Sequence, residues 1–270
     1  NDIKYSPCAE NLAEKLIESL YAFLCMDEMF PLSTYLTNIN IFHTTPVIAC
    51  ISYFMLECAN NTKVQKYGMN FIKHFADNQI GLSSIAMHSP SAILISARLL
   101  YDTIEIQYNF CKIISIISKS DDFARENMIR FNVQSYLIEI ILRYHIEQSR
   151  LACIALYDLS ITKSDRYHIC SHINIIDPIL ALLDAIPYEM KIQIEGMKLL
   201  LLYQNTNELN IAMKKNQNIQ IIKKSKKFLS LVIKQDSLPE GYDKTDIENI
   251  LSSPLWAKDP ILSKIIGFFS

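Results

Sequence analysis

Gly68-Met-Asn-Phe-Ile-Lys-His-Phe75, Phe110-Cys-Lys-Ile-Ile-Ser-Ile-Ile117, Ala152-Cys-Ile-Ala-Leu-Tyr-Asp-Leu159 and Gly196-Met-Lys-Leu-Leu-Leu-Leu-Tyr203 are the segments that decide the fold. Their starts lie 42, 42 and 44 residues apart. Within each, apolar residues recur at intervals of three and four. That interval gathers them on one wide face of an α-helix, whereas a strand would alternate every second residue.

Working outward, each run follows another apolar run: Pro46-Val-Ile-Ala-Cys-Ile-Ser52, Pro90-Ser-Ala-Ile-Leu-Ile-Ser96, Gln134-Ser-Tyr-Leu-Ile-Glu-Ile-Ile141 and Pro178-Ile-Leu-Ala-Leu-Leu-Asp184. Pro46 and Pro90 are 44 residues apart, and Pro178 lies twice that distance further on. Proline lacks an N–H and has a fixed φ, so it suits the first turn of a helix, where the N–H is unpaired anyway. All three prolines are therefore expected in the first turns of equivalent helices. A polar break and a short helix follow the second series, at Ser83-Ser-Ile-Ala-Met87, Ala124-Arg-Glu-Asn-Met-Ile129, Arg166-Tyr-His-Ile-Cys170 and Glu208-Leu-Asn-Ile-Ala-Met213. One unit thus reads as a short helix, a proline-tolerant second helix and a third helix. Tetratricopeptide and ankyrin units are about 34 and 33 residues long, while armadillo and HEAT units are about 40 to 47, so the period favours the latter. No heptad is sustained beyond one helix, which excludes a coiled coil.

Ala152-Cys-Ile-Ala-Leu-Tyr-Asp-Leu-Ser160 resembles the armadillo third-helix pattern A-x-x-A-L-x-N-L-S, and Ile175-Ile-Asp-Pro-Ile-Leu-Ala-Leu-Leu183 resembles the entry to its second helix. The resemblance to the armadillo-like superfamily implies an all-α, right-handed α-solenoid of tandem repeats of about 42 to 44 residues. Residues 1–270 would form one such domain, with an N-terminal cap over 8–39, repeats over 40–230 and a C-terminal cap over 231–270 that holds Pro239, Pro254, Pro260 and Trp256. Repeat stacks need atypical ends to cover their exposed core.

In such stacks the third helices line a concave groove. The register gives two partner-facing columns: Asn70, Lys112, Ile154 and Lys198 in one, His74, Ile116, Asp158 and Leu202 in the other. The family's ladder of asparagines, which holds an extended peptide in proteins such as karyopherin alpha, falls on the second column, and no position there keeps the asparagine. Apolar residues mixed with isolated charges suit an amphipathic helix or a short motif with apolar anchors.

Composition narrows the alternatives. Half of the 270 residues are apolar and only five are glycine, none between 82 and 195. Hairpins and phosphate-cradling loops need glycine where φ is positive or the backbone must approach a ligand. No GxGxxG, GxxxxGK[ST] or GxSxG occurs, so dinucleotide, P-loop and nucleophile-elbow chemistry have no motif to stand on. The net charge of −2 offers no field for nucleic acid, and the apolar stretch from Pro46 to Leu56 is too short to span a bilayer. The chain opens on Asn, which is compatible with an upstream targeting segment having been removed or left out.

Seven cysteines without a CxxC pair, most inside apolar runs, read as buried thiols of a reducing compartment, cytoplasm or nucleus. Cys111 and Cys153 hold equivalent positions beside core residues, so burial explains them better than reactivity. His168 and His172 lie one helical turn apart with Cys170 between them, half of a zinc site at most, and no second ligand cluster is near in sequence. No metal or cofactor is expected. Lys214, Lys215, Lys223, Lys224, Lys226 and Lys227 read first as a solvated helix end and second as a docking patch for an acidic or phosphorylated partner.

The sequence therefore points to a non-catalytic scaffold or adaptor that binds another protein. A chaperone cofactor of the Hsp70 exchange-factor or client-specific kind and an enzyme with a cryptic site are the alternatives.

Overall fold

The computed structural model describes residues 11–12, 14–18, 41–234 and 238–253. Cys8, Cys25, Pro254, Trp256 and Pro260, with most of the expected N-terminal cap and half of the C-terminal one, lie outside the described residues. Among those described there is no strand. After a helical stretch at 14–18 come α1 (Ile41–Glu57), α2 (Thr62–Asp77), α3 (Leu82–His88), α4 (Pro90–Leu99), α5 (Ile104–Ser120), α6 (Asp122–Arg130) and α7 (Val133–Ile141). They are followed by α8 (Ile146–Leu159), α9 (Lys163–His172), α10 (Ile176–Ala185), α11 (Met190–Leu202), α12 (Asn207–Ala212), α13 (Asn216–Lys234) and α14 (Lys244–Ser252). The succession short, second, third is met at α3–α4–α5, α6–α7–α8 and α9–α10–α11.

Local chemistry sets the helix starts. Asn61 accepts from the backbone N–H groups of Lys63 and Val64, Asp121 from Ala124, Thr206 from Leu209, and Thr162 with Asp165 closes a reciprocal capping box. Each cap satisfies a donor that has no partner within its own helix and is worth about 1 kcal/mol. With so few glycines, Gln79, Asn132 and Tyr144 take the left-handed backbone of connecting turns themselves, at φ near 59°.

Two of the prolines lie where the sequence places them, Pro90 at the first position of α4 and Pro178 at the third of α10. Pro46 does not: it is the sixth residue of α1, because residues 41–45 are already helical. The proline there forgoes a single bond, the one that its N–H would give the carbonyl of Phe42.

The chain forms two compact units, residues 1–136 and 137–270, with the boundary inside α7. In the first, α2 lies along α5, and α1, α3, α4 and α6 close around this pair. Phe71 stacks on Phe75 at 4.7 Å, and Phe110 meets Tyr136 edge to face at 5.2 Å, all four rings being buried. Burying one such side chain contributes about 2 to 3 kcal/mol. Ile17, from the stretch at 14–18, is buried against Cys58 and Val64, and Glu14 pairs with Lys63. In the second unit, α8 packs on α11, α10 on α11, α12 and α13, and α14 on α11 and α13.

A buried glutamine joins second to third helix at matching positions in both units. Gln65 Nε2 donates to the carbonyls of Met55 and Cys58, Gln107 to those of Ala97 and Leu100, and Gln193 to those of Leu183 and Ile186. Each amide thus takes up carbonyls that the end of the preceding helix leaves over. At the intervening position Ser149 Oγ reaches the Ile141 carbonyl at 3.4 Å.

Candidate functional site

In the second unit, the helical stagger of α8 brings Arg150, Ile154 and Tyr157 onto one face, and that of α11 does the same for Glu195, Lys198, Leu201 and Leu202. Ile154, Tyr157, Glu195, Lys198, Leu201 and Leu202 line a cleft of about 500 Å³, which Asp246, Asn249 and Ile250 of α14 close on one side. Three of the residues assigned to the groove from sequence, Ile154, Lys198 and Leu202, are brought together there, all half-buried.

Polar contacts fasten residues 238–253 to this face. Lys198 Nζ lies 2.8 Å from Asp246 Oδ2 and 5.5 Å from the centre of the Tyr242 ring. Tyr242 lies beside both Glu195 and Arg150, and Arg150 holds Glu147 at 3.0 Å. Burial pushes the Glu195 carboxyl up, against the opposing pull of the Tyr242 hydroxyl and of the Lys198 and Arg150 charges. The Tyr242 hydroxyl is raised too, by burial first and by the Glu195 carboxylate second. The result is a partly desolvated polar strip beside an apolar cleft.

The remaining groove positions divide. Asp158 is 4 % exposed and faces inward. Asn70 is also buried: it accepts from Asn109 Nδ2 at 2.7 Å and donates to Glu105 at 3.3 Å, so its amide serves the contact between α2 and α5. A short polar residue where two helices approach is drawn into the bonds that burial demands, which column arithmetic does not foresee. His74, Lys112 and Ile116 remain part-exposed. Lys112 sits 3.1 Å from Asp77, which also takes Lys73 at 2.6 Å. Burial raises the Asp77 carboxyl, but these two lysine bonds outweigh it and hold it below the usual carboxylate range.

The lysine cluster is not one patch. Lys226 is buried, with only 9 % exposed, and its ammonium is lowered to about 8 by burial. Its stem packs on the apolar side of α13, because a residue four positions after Ile222 falls on the same stripe. Lys215 and Lys224 face Asp177 and Asp184 at 3.8 and 3.5 Å, which offsets their charge, and Lys214, Lys223 and Lys227 complete the group.

His168 and His172 touch edge to face at 4.9 Å, and Cys170 is pushed up to about 12 by burial and the neighbouring Glu208. Cys170, His172, Asp177, Glu208 and Lys215 border a second cleft of about 370 Å³. Among the described residues no three His, Cys, Asp or Glu side chains are grouped to hold a metal ion. Cys111 and Cys153 are buried, and burial drives the Cys111 thiol far above its ordinary value.

Column arithmetic missed Arg150, Tyr157, Glu195, Tyr242 and Asp246. Glu195 carried a signal, lying one turn before Lys198 on the same face. Tyr242 and Asp246 carried none, since their place depends on where α14 docks. No family model matches the chain, and no curated protein or solved structure matches it.

Proposed function

We propose that the chain is a non-catalytic protein-binding module: a right-handed, armadillo-like α-solenoid that offers a groove lined by its third helices to another protein. The observation that carries this reading is the meeting of Ile154, Lys198 and Leu202, chosen by repeat register alone, around one cleft of about 500 Å³. The helix triplets and the recurring glutamine contact favour a tandem repeat as its basis. Apolar anchors flanked by a single cation suit an amphipathic helix or short motif of a partner protein. The buried thiols agree with a reducing compartment. Among the described residues no helix is long and apolar enough to cross a membrane.

The test is affinity capture with the whole chain as bait, followed by titration of the captured partner against Ile116→Asp and Ile154→Asp. Both side chains are half-exposed, so helicity should be kept while affinity falls by at least about 1 to 2 kcal/mol. A partner that binds both variants as it binds the parent refutes the groove. Turnover of a substrate by the purified chain would refute the non-catalytic reading.

A further inference from the structure

The cleft of the second unit already holds a helix along one side, and that helix shows which chemistry the face accepts. α14 turns Asp246 towards Lys198 at 2.8 Å, and Ile250, one turn on, is 1 % exposed beside the cleft. The Asp243 side chain caps the start of α14 at the Asp246 N–H, fixing where the helix begins and so where its carboxylate falls. Before it, Tyr242 lies beside Arg150 on α8 and Glu195 on α11. The attachment is polar along one edge and apolar where Ile247 and Ile250 are buried, while the walls formed by Ile154, Tyr157, Leu201 and Leu202 are left as open cleft. A segment that leaves apolar volume unfilled beside it uses its seat only in part. A helix with the same carboxylate and larger apolar side chains would bury more surface against it.

We propose that this face binds an acidic amphipathic helix of a partner protein, with a carboxylate four residues before a branched apolar side chain as in Asp246 and Ile250, and that α14 is its built-in competitor. The proposal rests on the groove reading above and adds the partner's chemistry and the segment it must displace. The electrostatic pairing selects the sign of the incoming side chain, and the apolar cleft supplies the anchor.

The probe is a fluorescein-labelled peptide of residues 238–253 added to the 270-residue chain at about 0.15 M salt, where exposed charges more than about 8 Å apart are screened, with anisotropy as readout. Asp246→Lys in the chain sets two cations against each other and releases its own α14, so the peptide with its native Asp246 should bind this variant at least tenfold more tightly than the parent. The charge-swapped pair guards against simple unfolding: the chain with Lys198→Glu should take the peptide carrying Asp246→Lys and refuse the native peptide by at least tenfold. Binding to neither released chain, or equal binding to the parent, overturns the proposal. Sedimentation of the Asp246→Lys chain as a dimer overturns it in favour of a second copy as the occupant. A captured partner that is weakened by Ile154→Asp while the peptides bind neither chain leaves the groove function standing and removes only the role of α14.

Discussion

Gln193→Leu tests whether the buried glutamine contacts hold second and third helices together. Gln193 is fully buried, and its Nε2 gives its two protons to the carbonyls of Leu183 and Ile186 at 3.0 and 2.9 Å. The helical bond to Leu183 would come from residue 187, which is proline and has no N–H. Leucine has nearly the same volume as glutamine, so the cavity contribution is small, and the loss is that of two donors to carbonyls at a buried helix end. At about 1 to 2 kcal/mol for each, this comes to about 2 to 4 kcal/mol. Part is returned, because Gln193 Oε1 is buried without a hydrogen-bond partner and leucine removes that oxygen, a gain of about 1 kcal/mol. Urea unfolding followed by circular dichroism should therefore show a net loss of about 1 to 3 kcal/mol. Gln107→Leu should cost about 1 kcal/mol more, since Gln107 Oε1 is engaged by the Tyr136 hydroxyl at 3.0 Å and nothing is returned. A Gln193→Leu chain within about 0.5 kcal/mol of the parent, the range of neutral surface changes, would refute the reasoning.

Tyr144 lies at φ 58° and is 41 % exposed, so Tyr144→Gly should raise stability by about 0.5 to 1 kcal/mol in the same assay, the relieved left-handed strain exceeding glycine's added entropy. Thiol labelling of the native chain, read by mass spectrometry, should modify exposed Cys50 quickly and leave Cys111 untouched until denaturant is added. The folded-state carboxyl of Glu195 is raised, so its ionisation opposes folding. That penalty is absent below the unfolded carboxylate range and grows as pH rises through the folded value. Glu195→Gln should therefore be more stable than the parent at pH near 7, with the difference vanishing towards pH near 3, when thermal unfolding is followed across that range.

The helix succession was legible because each third helix carries its apolar stripe in a single local run, and because Pro90 and Pro178 mark first turns. Pro46 misled: one missing N–H does not stop a helix whose upstream residues can continue it. Ile154, Lys198 and Leu202 could be placed on one face from periodicity, since which way a helical side chain points is a local property. Asn70 and Asp158 could not be told from their exposed column neighbours, because their burial depends on what the adjoining helix brings against them. Gln65, Gln107 and Gln193 share a repeat position three residues ahead of the apolar runs of the third helices. Their purpose was not legible, since it depends on carbonyls ten residues earlier in the chain.

The glutamine side chains in the first unit also have a second end. Gln65 Oε1 accepts from Ser96 on α4, and Gln107 Oε1 faces Tyr136 on α7, whose hydroxyl also reaches the Ala97 carbonyl at 2.6 Å. Each amide is thereby shared between the helix pair it closes and the next helix along. Lifting α4 away strips a donor from Gln65, and lifting α7 strips one from Gln107. Native-state amide exchange in residues 41–136 should accordingly show α1, α2, α4 and α5 opening as a single cooperative block with one shared free energy. The oxygen of Gln193 has no such partner, so α10 and α11 should exchange as a smaller block of their own.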